Sequence, residues 1–126
     1  TYTMKVMKAT LKYQSKKSKS NNIMATRCTI KVEGIDSVKV YKHYDGNPES
    51  TIEWLSWFNQ DFTDKRGDDA EYKFAQLLRS SDRDAKIFGL DPDKHTGWGV
   101  IPMNSDAGEE FEYVLHKDGN VSFKSI

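Results

Sequence analysis

The chain contains a single cysteine, Cys28, among its 126 residues. One thiol excludes an intramolecular disulfide and any zinc site built from several cysteines. The sequence also lacks an apolar run near the roughly 20 residues that a membrane-spanning helix needs, and it shows no apolar region typical of a signal peptide. These absences favour a reducing, cytoplasmic setting with no membrane partner.

Histidine is scarce as well, and its spacing is uninformative. His43, His95 and His116 are far apart and fit neither of the common metal-binding patterns, HxH and HExxH. The segment DPDKH at 91–95 places two acids close to a histidine, but a calcium loop needs more ligands in a fixed order. We therefore expect no metal site and no cofactor.

The chain has no net charge, since 19 Lys and Arg residues match 19 Asp and Glu residues. The charges are unevenly placed, however. Residues 1–33 hold eight bases and one acid, whereas residues 34–126 hold eleven bases and eighteen acids. Such asymmetry is typical of a nucleic-acid-binding arm or of complementary surfaces in a homo-oligomer. A solvated basic loop that faces an acidic helical surface is the alternative.

Aromatic residues are abundant, with three Trp, six Tyr and six Phe, which argues against disorder. The length fits one domain, because domains cluster at about 100–150 residues. Segment 4–13 alternates lysines with apolar residues as a strand would, and segment 14–22 is a polar, lysine-rich loop. We expect residues 1–23 to form an N-terminal strand and basic loop, and residues 24–126 to form the domain.

Two segments at the start of this domain predict a β-hairpin. MATRCTIKVE at 24–33 and SVKVYKHY at 37–44 both alternate, with their apolar residues at even positions. A three-residue turn at 34–36 pairs residues whose numbers add to 70, which keeps both apolar sets on one face. The predicted opposite pairs are Val32 with Val38, Ile30 with Val40, Thr29 with Tyr41, and Arg27 with His43.

The middle of the chain shows helical spacing. Residues 49–62 predict a helix with Ser50 or Thr51 as N-cap, and residues 69–81 predict a second one, capped by Asp68 or Asp69. Both helices have apolar residues three and four positions apart, as a helix packed on a sheet requires. The buried positions that we expect are Ile52, Leu55, Phe58 and Phe62 in the first helix, and Phe74, Leu77 and Leu78 in the second.

The last third predicts a long connection and more strands. Residues 82–99 have no sustained period and indicate a surface loop, and residues 98–103 indicate a short edge strand because of their proline. The chain then closes as a hairpin with its turn at Asp118-Gly119. The predicted fold is therefore α+β: a single domain with a largely antiparallel sheet covered on one face by two helices.

The polar face of the first hairpin is the main candidate site. It brings a guanidinium, an imidazole and hydroxyls together, which can bind a phosphate or carboxylate. An ordinary solvent-exposed sheet face is the competing interpretation, and acid–base chemistry by His43, oriented by a carboxylate, is the third. Trp98 could stack on a base or sugar, or could anchor a loop. The candidate ligand-binding residues are Arg27, Thr29, Tyr41, His43, Asp45 and Trp98.

Three other side chains have structural and functional interpretations. Cys28 lies on the apolar side of its strand and is expected to be an inert core thiol. Trp54 and Trp57 flank the apolar stripe of the first helix, and only one of them can lie at its centre. The other would be half-exposed, where it could belong to the core edge or to a contact with another protein.

The run MATRCTIKVE followed by VYKHYDGNPES resembles a family of small proteins of bacteriophages, prophages and their hosts. Members begin with Met-x-Thr-Arg-x-x-Ile and carry Tyr-x-His-(Trp or Tyr)-Asp-Gly-x-Pro after the first hairpin. The resemblance covers residues 24–50, with Asn47 where the family often has an aromatic and with residues 1–23 before the usual start. The matching residues are Met24, Thr26, Arg27, Ile30, Tyr41, His43, Tyr44, Asp45, Gly46 and Pro48.

The resemblance implies an accessory protein of a mobile element that works in the host cytoplasm by binding. Such a protein can block a host defence component, mimic nucleic acid with an acidic surface, or sequester a nucleotide signal. We therefore expect a non-enzymatic binding module for an anionic, nucleotide-like ligand or a host protein. The alternatives are a small nucleotide or phosphodiester hydrolase that uses His43, and an acidic protein inhibitor.

Overall fold

A computed structural model describes residues 26–87, 89, 91 and 97–126. The predicted strand at 4–13 and the basic loop at 14–22 lie outside these residues. Two helices and five strands follow one another in the described part of the chain. They are β1 (Cys28–Val32), β2 (Val38–Lys42), α1 (Pro48–Arg66), α2 (Ala70–Ile87), β3 (Trp98–Pro102), β4 (Phe111–Leu115) and β5 (Val121–Ser125).

The five strands form one sheet in the order β3-β2-β1-β4-β5. All neighbours are antiparallel except β1 and β4, which run parallel at the centre. The α+β prediction is confirmed: a mostly antiparallel sheet and two helices make a single small domain. β3, with Pro102 at its end, occupies an edge as predicted, and the hairpin of β4 and β5 closes the sheet on the other side.

The register of the first hairpin is the predicted one. Thr29 pairs with Tyr41 and Ile30 with Val40, so the residue numbers add to 70. The amide of Ile35 donates to the carbonyl of Val32 at 3.0 Å and closes the turn. β1 begins at Cys28 and β2 ends at Lys42, so Arg27 and His43 lie just beyond the paired residues.

Helix α1 begins earlier and ends later than the predicted 49–62. Asn47 precedes it and Pro48 is its first residue, where the missing N–H of proline has no cost. The prediction of Ser50 or Thr51 as N-cap is wrong, because the helix already begins at Pro48 and Asn47 is its N-cap. Ser50 donates to the side-chain oxygen of Asn47 at 2.8 Å, and Thr51 donates to the carbonyl of Asp45 at 2.8 Å.

Helix α2 extends from Ala70 to Ile87, six residues past the predicted end. The predicted surface loop at 82–99 is therefore wrong for residues 82–87. The added turn contributes a single buried residue, Ala85, so no apolar period marks it in the sequence. An i,i+4 ion pair of 2.9 Å between Lys86 and Asp82 supports it instead.

The apolar core lies between the helices and one face of the sheet. Leu55 of α1 and Leu77 of α2 are completely buried at its centre, and Phe74 and Leu78 pack around it. Burial raises the pKa of the Cys28 thiol to about 12, which keeps it protonated at neutral pH. The strand residues of this core are Cys28, Ile30, Val32, Val40, Tyr113 and Leu115.

Residues 103–110 connect β3 to β4 across the opposite face of the sheet. Glu109 reaches Lys39 at 3.7 Å, and the amide of Glu110 donates to the carbonyl of Arg27 at 2.9 Å. Polar side chains are buried on this face: Thr29 is 0% exposed and Lys39 is 4% exposed. One face of the sheet is therefore covered by apolar side chains of the helices, and the other is covered by the 103–110 connection, which pairs with a buried lysine.

Candidate functional site

Three of the predicted site residues meet at the end of the first hairpin. The hydroxyl of Tyr41 and Nδ1 of His43 form a hydrogen bond of 2.7 Å. The His43 ring also meets Tyr44 edge-on, with 4.6 Å between the ring centroids. His43 is therefore half-buried and held from two sides, and we call Arg27, Tyr41 and His43 together the hairpin surface.

Arg27 supplies the positive charge of the hairpin surface. Its backbone is fixed by the hydrogen bond from Glu110, while its side chain is exposed beside Gly108. Burial raises the pKa of the Tyr41 phenol, and the nearby Arg27 guanidinium opposes that rise. Tyr41 thus stays protonated at neutral pH and keeps its ability to donate a hydrogen bond.

Thr29 and Asp45 are not exposed on the hairpin surface. Thr29 is 0% exposed, and its hydroxyl has no hydrogen-bond partner among the residues that the structure describes. Asp45 is 2% exposed and has a left-handed backbone, with φ of 55°. Its carbonyl accepts the Thr51 hydroxyl at 2.8 Å at the start of α1, so this residue shapes the turn into the helix.

Trp98 lies on the opposite, helix-covered face of the sheet. Its ring packs near Trp54 with 6.2 Å between centroids, and its Nε1 donates to Asp84 at 2.9 Å. The same carboxylate is 3.4 Å from Nζ of Lys42, which is 3% exposed at its side chain and lies within 6 Å of both indole rings. Trp98 thus helps to enclose a buried cation and does not join the hairpin surface.

The Asp-Gly-Asn-Pro turn is fastened to the centre of the sheet. The amide of Gly46 donates to Thr26 at 2.8 Å, and its carbonyl accepts the Tyr113 hydroxyl at 2.6 Å. A side chain at residue 46 would place its Cβ only 2.6 Å from Cβ of Cys28. Glycine is required by this close approach, so this part of the family-like segment has a structural role.

A groove between α1 and α2 combines aromatic and basic side chains, and the sequence alone does not predict it. Its volume is about 520 Å³. The sequence predicts that either Trp54 or Trp57 is half-exposed, but it does not connect either indole with Arg66 or Arg79. Trp57 and Arg66 belong to α1 and Arg79 belongs to α2, so only the packing of the two helices brings them together. The interhelical groove is lined by Trp57, Phe58, Asp61, Phe62, Lys65, Arg66, Tyr72, Gln76, Arg79 and Ser80.

Two searches for other kinds of site are negative for the described residues. No three His, Cys, Asp or Glu side chains of residues 26–87, 89, 91 and 97–126 are grouped as a metal ion would require. Neither α1 nor α2, the helices of the described chain, is long and apolar enough to cross a membrane. No family model, curated protein or solved structure matches this chain.

Proposed function

We propose that the protein is a non-enzymatic binding module of a phage or related mobile element, which captures an anionic, nucleotide-like ligand at the hairpin surface. One observation carries the proposal: the exposed Arg27 guanidinium lies near a Tyr41 hydroxyl that is hydrogen-bonded to His43 at 2.7 Å. The resemblance of residues 24–50 to small phage proteins supports the mobile-element setting.

The three groups suit an oxyanion such as phosphate. A guanidinium offers two parallel N–H donors to two oxygens, and its charge strengthens both hydrogen bonds. A protonated Tyr41 that donates to Nδ1 places the proton of the neutral imidazole on Nε2, which can then donate to the same anion.

The proposal is tested by thermal denaturation in the presence of a nucleotide panel and of inorganic phosphate. A ligand that binds only the folded protein raises Tm, and at 100 times its Kd it adds about 2.7 kcal/mol to the free energy of unfolding. Arg27→Ala should reduce this rise and leave the Tm of the free protein unchanged, because Arg27 is exposed.

Arg83→Ala is the matched control, since it removes an arginine on the helix-covered side of the domain. The proposal fails if no ligand of the panel raises Tm, if Arg27→Ala retains the full rise, or if Arg27→Ala unfolds the protein. In the last case, Arg27 has a structural role.

A hydrolase that uses His43 is the second candidate function. The hydrogen bond to Tyr41 and the contact with Tyr44 fix the imidazole, as acid–base chemistry requires. Turnover of any nucleotide in the same panel, lost in His43→Ala, would support it. Binding without turnover would support the non-enzymatic proposal.

A further inference from the structure

We propose that the interhelical groove is a second binding site, which takes a planar aromatic group carrying a negative charge, such as a nucleoside monophosphate. The groove and the hairpin surface lie on opposite sides of the sheet and share no residue. This proposal is therefore independent of the function proposed above.

The floor and walls of the groove are aromatic. Phe62, only 7% exposed, forms the floor and packs against Phe58 at 6.3 Å and against Tyr72 at 5.7 Å between ring centroids. Tyr72 is 39% exposed and Trp57 is half-buried, so both rings have surface that faces the opening. Exposed aromatic surface of this kind stacks on a planar base or a similar ring.

The charges around the aromatic floor favour an anion. Three bases line the groove against one acid, Asp61. Lys65 is paired with that acid at 3.1 Å, and Arg66 is paired with Asp69 at 3.4 Å while it stacks over Tyr72 at 4.4 Å. Arg79 forms no ion pair or hydrogen bond within the described part of the chain. Its guanidinium is therefore the group that is available to a phosphate.

The volume of the groove suits a small molecule. Small-molecule sites commonly have volumes of about 300–1,000 Å³, and the groove has about 520 Å³. A mononucleotide can place its base on Trp57 and its phosphate on Arg79. A helix from an acidic partner protein would share the charge complementarity, so the experiment has to distinguish these two occupants.

The test is a titration of the intact protein with adenosine 5′-monophosphate, cytidine 5′-monophosphate, adenosine and inorganic phosphate, followed by tryptophan fluorescence. Trp54 and Trp98 are packed around Lys42, so Trp57 is the indole that reports on the groove. We expect both monophosphates to quench the signal, adenosine to bind at least about tenfold more weakly, and phosphate alone to have no effect.

Variants separate the contribution of the Trp57 ring to nucleotide binding from that of the Arg79 charge. Arg79→Ala should weaken nucleotide binding about tenfold, as the loss of one charge-assisted hydrogen bond predicts. Trp57→Phe should keep most of the affinity, measured by calorimetry in an Arg27→Ala background so that the hairpin surface does not contribute, and lose the fluorescence change. Trp57→Ala should lose both. Lys86→Ala, which removes an exposed base of α2 outside the groove, should behave like the unmodified protein.

Three outcomes would overturn the proposal. The first is that neither monophosphate binds. The second is that Arg79→Ala and Lys86→Ala weaken binding equally, which would mean general attraction to positive charge. The third is that a glutamate-rich amphipathic helical peptide quenches Trp57 while the monophosphates do not, which would assign the groove to a protein partner.

Discussion

The two faces of the sheet use neighbouring residues of the same strands in opposite ways. On the helix-covered face, Ile30 and Val40 are completely buried among apolar side chains of α1 and α2. On the face crossed by residues 103–110, Thr29 and Lys39 are equally hidden, but the buried groups are a hydroxyl and an ammonium. The centre of the first face is stabilised by apolar burial. The second face needs hydrogen-bond or ion-pair partners for its buried polar groups.

This difference has a consequence for where binding chemistry can lie. Leu55 and Leu77 close the centre of the helix-covered face, and its buried cation, Lys42, is already paired with Asp84. The polar face ends at the hairpin surface, where Arg27 is exposed and Tyr41 and His43 are half-buried. The face that gains less from apolar burial is therefore the one whose edge carries donors for an anion.

The largest expected effect separates two adjacent residues of β1. Ile30→Ala should lower the free energy of unfolding by about 2–5 kcal/mol, because it leaves a cavity in the apolar core. Thr29→Val should leave it unchanged or raise it by up to about 1 kcal/mol, because a methyl group replaces a buried hydroxyl that no described residue hydrogen-bonds. Urea denaturation of both variants measures the difference, and equal losses would contradict the contrast between the faces.

The second prediction concerns the buried charges of the polar face. Lys39→Met should lower the free energy of unfolding by about 3 kcal/mol, because Glu109, whose side chain is 9% exposed, would keep its charge without a close cation. The double variant Lys39→Met with Glu109→Gln should lose less than the single one, since the glutamine amide oxygen can still accept the Ala107 amide. Additive losses in the double-mutant cycle would show that the two charges are not coupled.

The smallest expected effect appears as a dependence on pH. Burial would raise the pKa of Glu112, but the hydrogen bond from Lys31 and the charges of Lys31, Lys124 and Lys39 outweigh it and hold the pKa below its usual value. Glu112 therefore adds stability above its unfolded pKa of about 4.3, and this contribution is lost as the pH falls through the folded value.

Glu112→Gln should be less stable than the unmodified protein by about 1 kcal/mol at pH 7, and the gap should close below the folded pKa. Denaturation curves at a series of pH values down to pH 3 measure it. A gap of constant size across the series would mean that the ionised form of Glu112 has no special stabilisation.

The local part of this structure could be predicted from the sequence, and the long-range part could not. Alternation and a short turn determined the Thr29–Tyr41 register, because a shift by one residue would expose Ile30. The burial of Thr29 and Lys39 had no sequence signal, since the segment that reaches Lys39 comes from Glu109, far along the chain. The same limit applies to the interhelical groove, where Arg79 meets aromatics of another helix.

The candidate site was only partly predictable for the same reason. The alternation of side chains along the strands correctly grouped Arg27, Tyr41 and His43 on one face. Alternation alone cannot tell an exposed polar residue from a buried one. Asp45 continued the same odd-numbered series, yet its left-handed backbone turns the chain and buries it. Trp98 was a candidate because of its ring chemistry alone, and its strand presents it to the core.

The parallel pair of β1 and β4 has a consequence for folding kinetics. Cys28 lies opposite Phe111, so the centre of the sheet joins segments more than 80 residues apart in the chain. Long-range pairings of this kind slow folding, because the entropy of closing a long loop is lost before the contact forms. Until β1 and β4 pair, each of these strands is the unpaired edge of its own hairpin. Folding intermediates are most prone to aggregate at such edges.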